Sequence, residues 1–170
     1  MRYSCTAPVK IIVIGAGGTG GYVIPHLYRL GYASRRQVRI IVCDGDVVEQ
    51  KNLIRQNFIE QDIGRNKAQV QAERYSAAFG IECEYKPDFI ENDEELFNLT
   101  LPDFYAKPFS GISETQKVIL LGCVDNNRSR QMCHRVFNRQ KDLIYIDSGN
   151  GEHTGQVVCG VRQNGKTTYK

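Results

Sequence analysis

Val9-Lys10-Ile11-Ile12-Val13-Ile14 runs directly into Gly15-Ala16-Gly17-Gly18-Thr19-Gly20. A short β-branched run followed by G-x-G-x-x-G, with a helical stretch at Thr19–Leu30 behind it, is the strand–turn–helix opening of a phosphate-binding α/β unit. The glycines permit a tight turn and let an anion approach the backbone. The helix N-terminus adds free N–H groups and the positive end of its dipole. The bland alternative is a glycine turn that only packs the helix on the strand.

Similar runs recur at Val38–Val42, Lys117–Leu121 and Leu143–Ile146, with a further candidate at Ile81–Tyr85. They are continuous rather than alternating, as in parallel strands covered on both faces. Helices are expected between them, over Arg65–Phe79 with Asp62 as a candidate cap and Gly80 as its stop, and over Asn127–Phe137. Strand–helix alternation predicts a Rossmann-like, doubly wound, mostly parallel sheet. Asn164-Gly165, between Gln156–Arg162 and Thr167–Tyr169, is a hairpin-turn signal, so antiparallel strands should close the sheet. Residues 91–116 read as a short helix plus a surface loop, with the acidic run from Glu91 as a solvated face.

Composition narrows the classes. The chain has 170 residues, 24% of them charged and 41% hydrophobic, with a formal charge of +3. That is globular composition, with too little positive charge to argue for nucleic acid. None of the 6 cysteines forms a CxxC pair, and they read as buried free thiols rather than a disulfide scaffold. No apolar run approaches the ~20 residues of a membrane span, and there is no apolar signal core, so a cytoplasmic protein away from membranes is expected. The 3 histidines have no ligand spacing.

The second strand ends at Asp44, placed to bridge ribose hydroxyls. This much suits an adenine nucleotide and leaves NAD open. Beyond it come Asn52 and Arg55, three residues apart and expected on one face of a helical turn, and Lys67 at the start of a helix. Two cations and an amide suit a triphosphate better than a dinucleotide, because attack at the α-phosphorus needs positive charge on the departing pyrophosphate. Ordinary surface charge is the competing reading. At the end of the Lys117 strand, Asp125 should face the same crevice, as a Mg²⁺ ligand or as a helix N-cap. Pro25, inside the first helix, has no explanation in the sequence.

Taken in order, the blocks VIGAGGTGG, DGDVVEQKNLIRQ, DIGRNK and CVDNNRSR, with a late GEHTGQV, resemble the ThiF/MoeB/HesA family, the adenylating domain shared with ubiquitin-activating enzymes. The likeness covers nearly the whole chain, and GYVIPHLYRL and NLIRQNF resemble the ThiF-like proteins of the PRTRC system. The resemblance implies one adenylation domain over residues 1–170. It also implies ATP-dependent adenylation of the C-terminal carboxylate of a ubiquitin-like or sulfur-carrier protein, with release of pyrophosphate. Carried over by motif, Gly15, Gly17 and Gly20 form the phosphate loop, Asp44 binds ribose, and Asn52, Arg55 and Lys67 hold the phosphates. Arg55 and Lys67 would stabilise the transition state with Asp125 on Mg²⁺, while Gln56 and Arg130 match family positions, Arg130 as a shaping residue that pairs with a carboxylate.

A homodimer is implied, with Arg2 as a candidate to reach the partner's phosphates. The chain departs from the family in lacking the paired CxxC, so no zinc is expected, and in lacking a cysteine at the thioester position. Its end at Lys170 reads as a truncated or pared-down member. A nucleotide-binding scaffold subunit without chemistry is the alternative, and an NAD(P) redox domain would leave Arg55, Lys67 and Asp125 unexplained.

Overall fold

The computed structural model describes residues 6–105, 114–150 and 153–169. Arg2, Cys5, part of the loop in 91–116 and the start of GEHTGQV therefore lie outside the described residues. The elements are β1 (Val9–Ile14), α1 (Gly18–Ser34), β2 (Val38–Cys43), α2 (Lys67–Phe79), β3 (Glu84–Lys86), α3 (Asp93–Leu99), β4 (Lys117–Gly122), α4 (Asn127–Arg139), β5 (Leu143–Asn150), β6 (Gly155–Gln163) and β7 (Lys166–Tyr169). Two single-turn 3₁₀ helices, Gln50–Asn52 and Glu60–Asp62, lie between β2 and α2.

The strands form one seven-stranded sheet in the order β3-β2-β1-β4-β5-β6-β7. The first five pair in parallel, and β5-β6-β7 are antiparallel. The order reverses between β1 and β4, so the carboxyl ends of these two strands flank the switch point where a doubly wound sheet takes its ligands.

All six residues of β1 are buried, and successive side chains enter two different cores. Ile12 and Ile14 join Leu120, Leu96, Val136 and Phe137 under α3 and α4. Ile11 and Val13 join Ile24, Tyr28, Ala68 and Ala72 under α1 and α2. The exception to the apolar pattern is Lys10, only 3% exposed. Its Nζ donates to Asp103 Oδ1 (2.8 Å) and Leu101 O (3.1 Å), so the buried ammonium is paired and hydrogen-bonded. Asp103 also pairs with Arg39, which grips Glu84 on β3.

Three local expectations change. Asp62 does not cap α2: Asn66 does, its Oδ1 accepting from Gln69 N (3.0 Å), while Asp62 caps the 3₁₀ turn through Ile59 N (2.9 Å) and pairs with Arg74 (2.5 Å). The expected strand at Ile81–Tyr85 starts later and ends one residue further on, at Glu84–Lys86, with only three partners on β2. The acidic run is not simply solvated, since Asp93 and Glu94 pair with Arg135 and Arg139 of α4 and Glu95 pairs with Lys86. The Asn164-Gly165 turn is as expected, with φ of 51° and 76°, the left-handed pair of a type I′ hairpin. Among the described residues, no helix is long and apolar enough to cross a membrane.

Candidate functional site

A cleft of about 1090 Å³ opens at the switch point, between the ends of β1, β2 and β4. Gly15, Gly17, Asp44, Arg55, Gln56, Lys67 and Asp125 all line it, although they come from four separate segments of the sequence. Gly20 and Asn52 are not in its lining.

The glycines have different jobs. Gly15 has a φ of +97°, and a Cβ there would meet the Cys123 carbonyl at 2.6 Å, so the chain just beyond β4 closes over it. At Gly20 a Cβ would lie 1.9 Å from Gly15 O, which makes this glycine a packing requirement of the loop. Gly17 is open: its nearest neighbour to an added Cβ would be the Gln56 amide at 3.7 Å. It is also the N-cap of α1 and offers no side-chain cap, and the first turn of α1 has no acidic residue. The orphan N–H groups and positive end of a 17-residue helix therefore face the cleft without an internal anion.

Asp44 holds this loop in place. Its Oδ2 accepts from Ala16 N (2.7 Å) and its Oδ1 from Asp46 N (2.9 Å). Burial raises its pKa, and the two backbone N–H groups oppose that rise by favouring the carboxylate. Asn66 secures the same corner from the other side, with Nδ2 donating to Asp44 O (2.8 Å), Asp46 O (3.1 Å) and Pro87 O (3.2 Å). The N-x-x-Q spacing from Asn66 to Gln69 is the sequence signal for this cap.

Asn52 and Arg55 do not share a face. Asn52 is buried, and its Oδ1 accepts from Glu49 N (2.9 Å) to cap the 3₁₀ turn. Arg55 is exposed, lines the cleft and has no ion pair among the described residues. Lys67 is 8% exposed at its side chain, and its Nζ donates to Asp46 Oδ2 (2.9 Å), a bond that uses one of its three donors. Gln56 Oε1 is buried with no hydrogen-bond partner, beside Gly17.

Asp125 is exposed on the cleft and is not the cap of α4. That role belongs to Asn126, whose Oδ1 accepts from Ser129 N (2.8 Å), so the Asp125 carboxylate is free of it. Arg130 shapes the loop as expected: NH2 donates to Val124 O (2.9 Å) and Ser148 O (3.2 Å), and Nε lies 3.6 Å from Asp147. Phe89, Ile90 and Met132 form apolar lining that no sequence motif marks. Burial pushes the thiols of Cys43 and Cys133 up to about 12 and that of Cys123 up to about 11, which favours the protonated form.

Fold and cleft together define a Rossmann-like α/β domain with an anion-ready site at its switch point. The chain belongs to the ThiF family, whose model matches residues 6–170. It is 42% identical over 104 residues to the NEDD8-activating enzyme E1 catalytic subunit of Saccharomyces cerevisiae, covering 61% of this chain and 31% of that one. It is 30% identical over 158 residues to the SUMO-activating enzyme subunit uba-2 of Caenorhabditis elegans, covering 93% of this chain and 24% of that one. The chain thus spans a quarter to a third of the length of these relatives. A crystal structure of Escherichia coli MccB with MccA-N7isoASN shares the fold, at TM-score 0.66 and 22% identity, covering 93% of this chain and 41% of that one.

Proposed function

We propose that this protein is an ATP-dependent adenylyltransferase that activates the C-terminal carboxylate of a ubiquitin-like or sulfur-carrier protein and releases pyrophosphate. The observation that carries this reading is the meeting, in one cleft, of the open Gly17 loop, Arg55 with no ion pair among the described residues, the buried Lys67 and the exposed Asp125. The relatives named as NEDD8- and SUMO-activating enzymes support it. An NAD(P) site would use the glycine loop and Asp44 but leave both cations and Asp125 without a purpose.

In this reading the triphosphate lies over Gly17 at the N-terminus of α1, and the base takes the apolar lining of Phe89, Ile90 and Met132. Asp44 adds a ribose hydroxyl to the two backbone bonds that it already accepts. The carrier carboxylate is ionised at neutral pH, so no general base is needed. Its oxygen forms a bond to the α-phosphorus as the bond to the bridging oxygen of pyrophosphate breaks. Arg55 and Lys67 neutralise charge that grows on the departing pyrophosphate. The carboxylate of Asp125, free of capping duty, fits Mg²⁺, which when bound would neutralise phosphate charge. The reading stops at the adenylate. A cytoplasmic homodimer belongs to the same reading.

A second reading, a nucleotide-binding scaffold without chemistry, is favoured by Asn52 being turned into the protein and Lys67 being held by Asp46. The two readings divide on the carrier. Mg-ATP at about 100 times its Kd should stabilise the wild type by about 2.7 kcal/mol in a melting experiment, in both readings. NADH should not, and Asp125→Ala should remove the Mg-dependent part. Mass spectrometry of a carrier incubated with Mg-ATP should then find an added adenylyl group. A nucleotide-dependent melting shift with no carrier adenylate leaves the scaffold.

A further inference from the structure

We infer that Asn57, outside the lining of the cleft, is a positioning residue that locks the Arg55–Gln56 turn to the helix opened by the glycine loop, through a carbonyl that Pro25 sets free. In a helix the N–H of residue 25 would donate to the carbonyl of residue 21. Pro25 has no N–H to give, and it sits inside α1. The Gly21 carbonyl instead accepts from Asn57 Nδ2 at 3.2 Å. The second hydrogen of that amide goes to the Tyr75 hydroxyl on α2 at 2.7 Å. The backbone carbonyl of Asn57 in turn accepts from Gln71 Nε2 and from Arg74 NH1, both at 3.2 Å. One residue therefore ties α1, α2 and the cationic turn together, with every bond made across elements rather than within the turn.

The location gives the tie its consequence. Gly21 lies on the first turns of the helix whose N-terminus faces the cleft, and a Cβ on it would lie 3.6 Å from Asn57 Cβ. Arg55 and Gln56 immediately precede Asn57, and their N–H groups both donate to Asn52 O (3.3 and 2.9 Å). Phe58, buried beside Val48 and Val70, anchors the far side. Without the Asn57 side chain the backbone carbonyl still holds α2, but the turn loses its bond to α1, and with it the placement of Gln56 beside Gly17 and of Arg55 on the cleft. Pro25 thus has a role: it keeps an acceptor available in the interior of α1.

The use of this lock in nucleotide binding rests on the function proposed above, so the test has two arms. In the ligand-free protein, hydrogen exchange is measured for Asn57→Ala. The amides of Arg55, Gln56 and Phe58 should exchange at least ~10-fold faster, while those of β1, β4 and α4 keep their wild-type rates. Asn57→Asp, which keeps the size but has no N–H to donate, should repeat the result and serves if Asn57→Ala does not fold. Unchanged exchange across the turn overturns the inference.

In the second arm, calorimetry measures Mg-ATP affinity in the wild type, Asn57→Ala, Arg55→Ala and the double variant. Asn57→Ala should weaken binding by about 10-fold alone and leave Arg55→Ala no weaker, because it acts through Arg55. An equal further loss in the double variant overturns a role through Arg55. A wild type that binds no Mg-ATP would defeat the nucleotide reading, and the exchange arm would still decide the lock.

Discussion

Gly15 and Gly17 stand two positions apart in one motif and ask for glycine for opposite reasons. At Gly15 the positive φ and the Cys123 carbonyl exclude a side chain, so Gly15→Ala should lower stability by at least about 1–2 kcal/mol in urea unfolding. Gly17 has an open side, so Gly17→Ala should cost less than Gly15→Ala in the same unfolding experiment. Its main cost should appear as a loss of Mg-ATP affinity of about 10-fold or more, because in the proposed function the methyl would occupy the space of a phosphate. If Gly17→Ala keeps full affinity, the phosphate does not lie over this loop. Asp103 tests the buried end of β1. Burial alone would raise its pKa, but its bonds to Lys10 and Arg39 outweigh that and hold it below the usual carboxylate range. Its contribution is therefore complete above that range and fades as pH falls through the depressed value. Asp103→Ala should cost on the order of 3 kcal/mol at neutral pH, mostly by stranding the Lys10 charge. The gap from wild type should narrow in urea titrations toward pH 3, and a pH-independent gap would contradict the pairing.

At the scale of elements, α1 carries its own test. Removing the Asn57 amide should cost about 1 kcal/mol in the wild type. In the Pro25→Ala background the new N–H serves Gly21 O, so the same substitution should cost less by at least ~0.5 kcal/mol. Strictly additive costs in the four-protein unfolding cycle would mean that the proline and the asparagine are unconnected. The elements themselves were largely legible. The strands β1, β2, β4 and β5 and the Asn164-Gly165 hairpin stand where apolar runs and turn chemistry put them, because a strand covered on both faces leaves a continuous signature. The end of α2 was legible from Gly80, with φ +67°, but its start was not. Asp62 and Asn66 are both good caps, and only the 3₁₀ turn at Glu60–Asp62, a tertiary choice, decides between them. The β3 expectation overran because its pairing with β2, not its composition, fixes its length.

For the molecule as a whole, the mostly parallel sheet and the shared cleft followed from strand–helix alternation and the glycine loop, since the switch point gathers the ends of β1, β2 and β4 wherever their residues lie in the sequence. Side-chain direction was less accessible. Spacing put Asn52 and Arg55 on one face, and the 3₁₀ turn separates them into a buried cap and an exposed cation. The Lys10–Asp103 pair was hidden because its partners are far apart in the chain and neither lies in a motif. The Pro25–Asn57 tie is of the same kind, a local rule broken in α1 and repaired from another element. In the proposed function, the cleft is organised around phosphate charge and an incoming carboxylate. Carrier-dependent exchange of labelled pyrophosphate into ATP tests that claim most directly, because it reports reversible formation of the adenylate. The account predicts Mg-dependent exchange that needs the carrier's C-terminal carboxylate and falls by at least ~100-fold in Arg55→Ala. Binding of Mg-ATP with no exchange, given a carrier that demonstrably binds the protein, would contradict it.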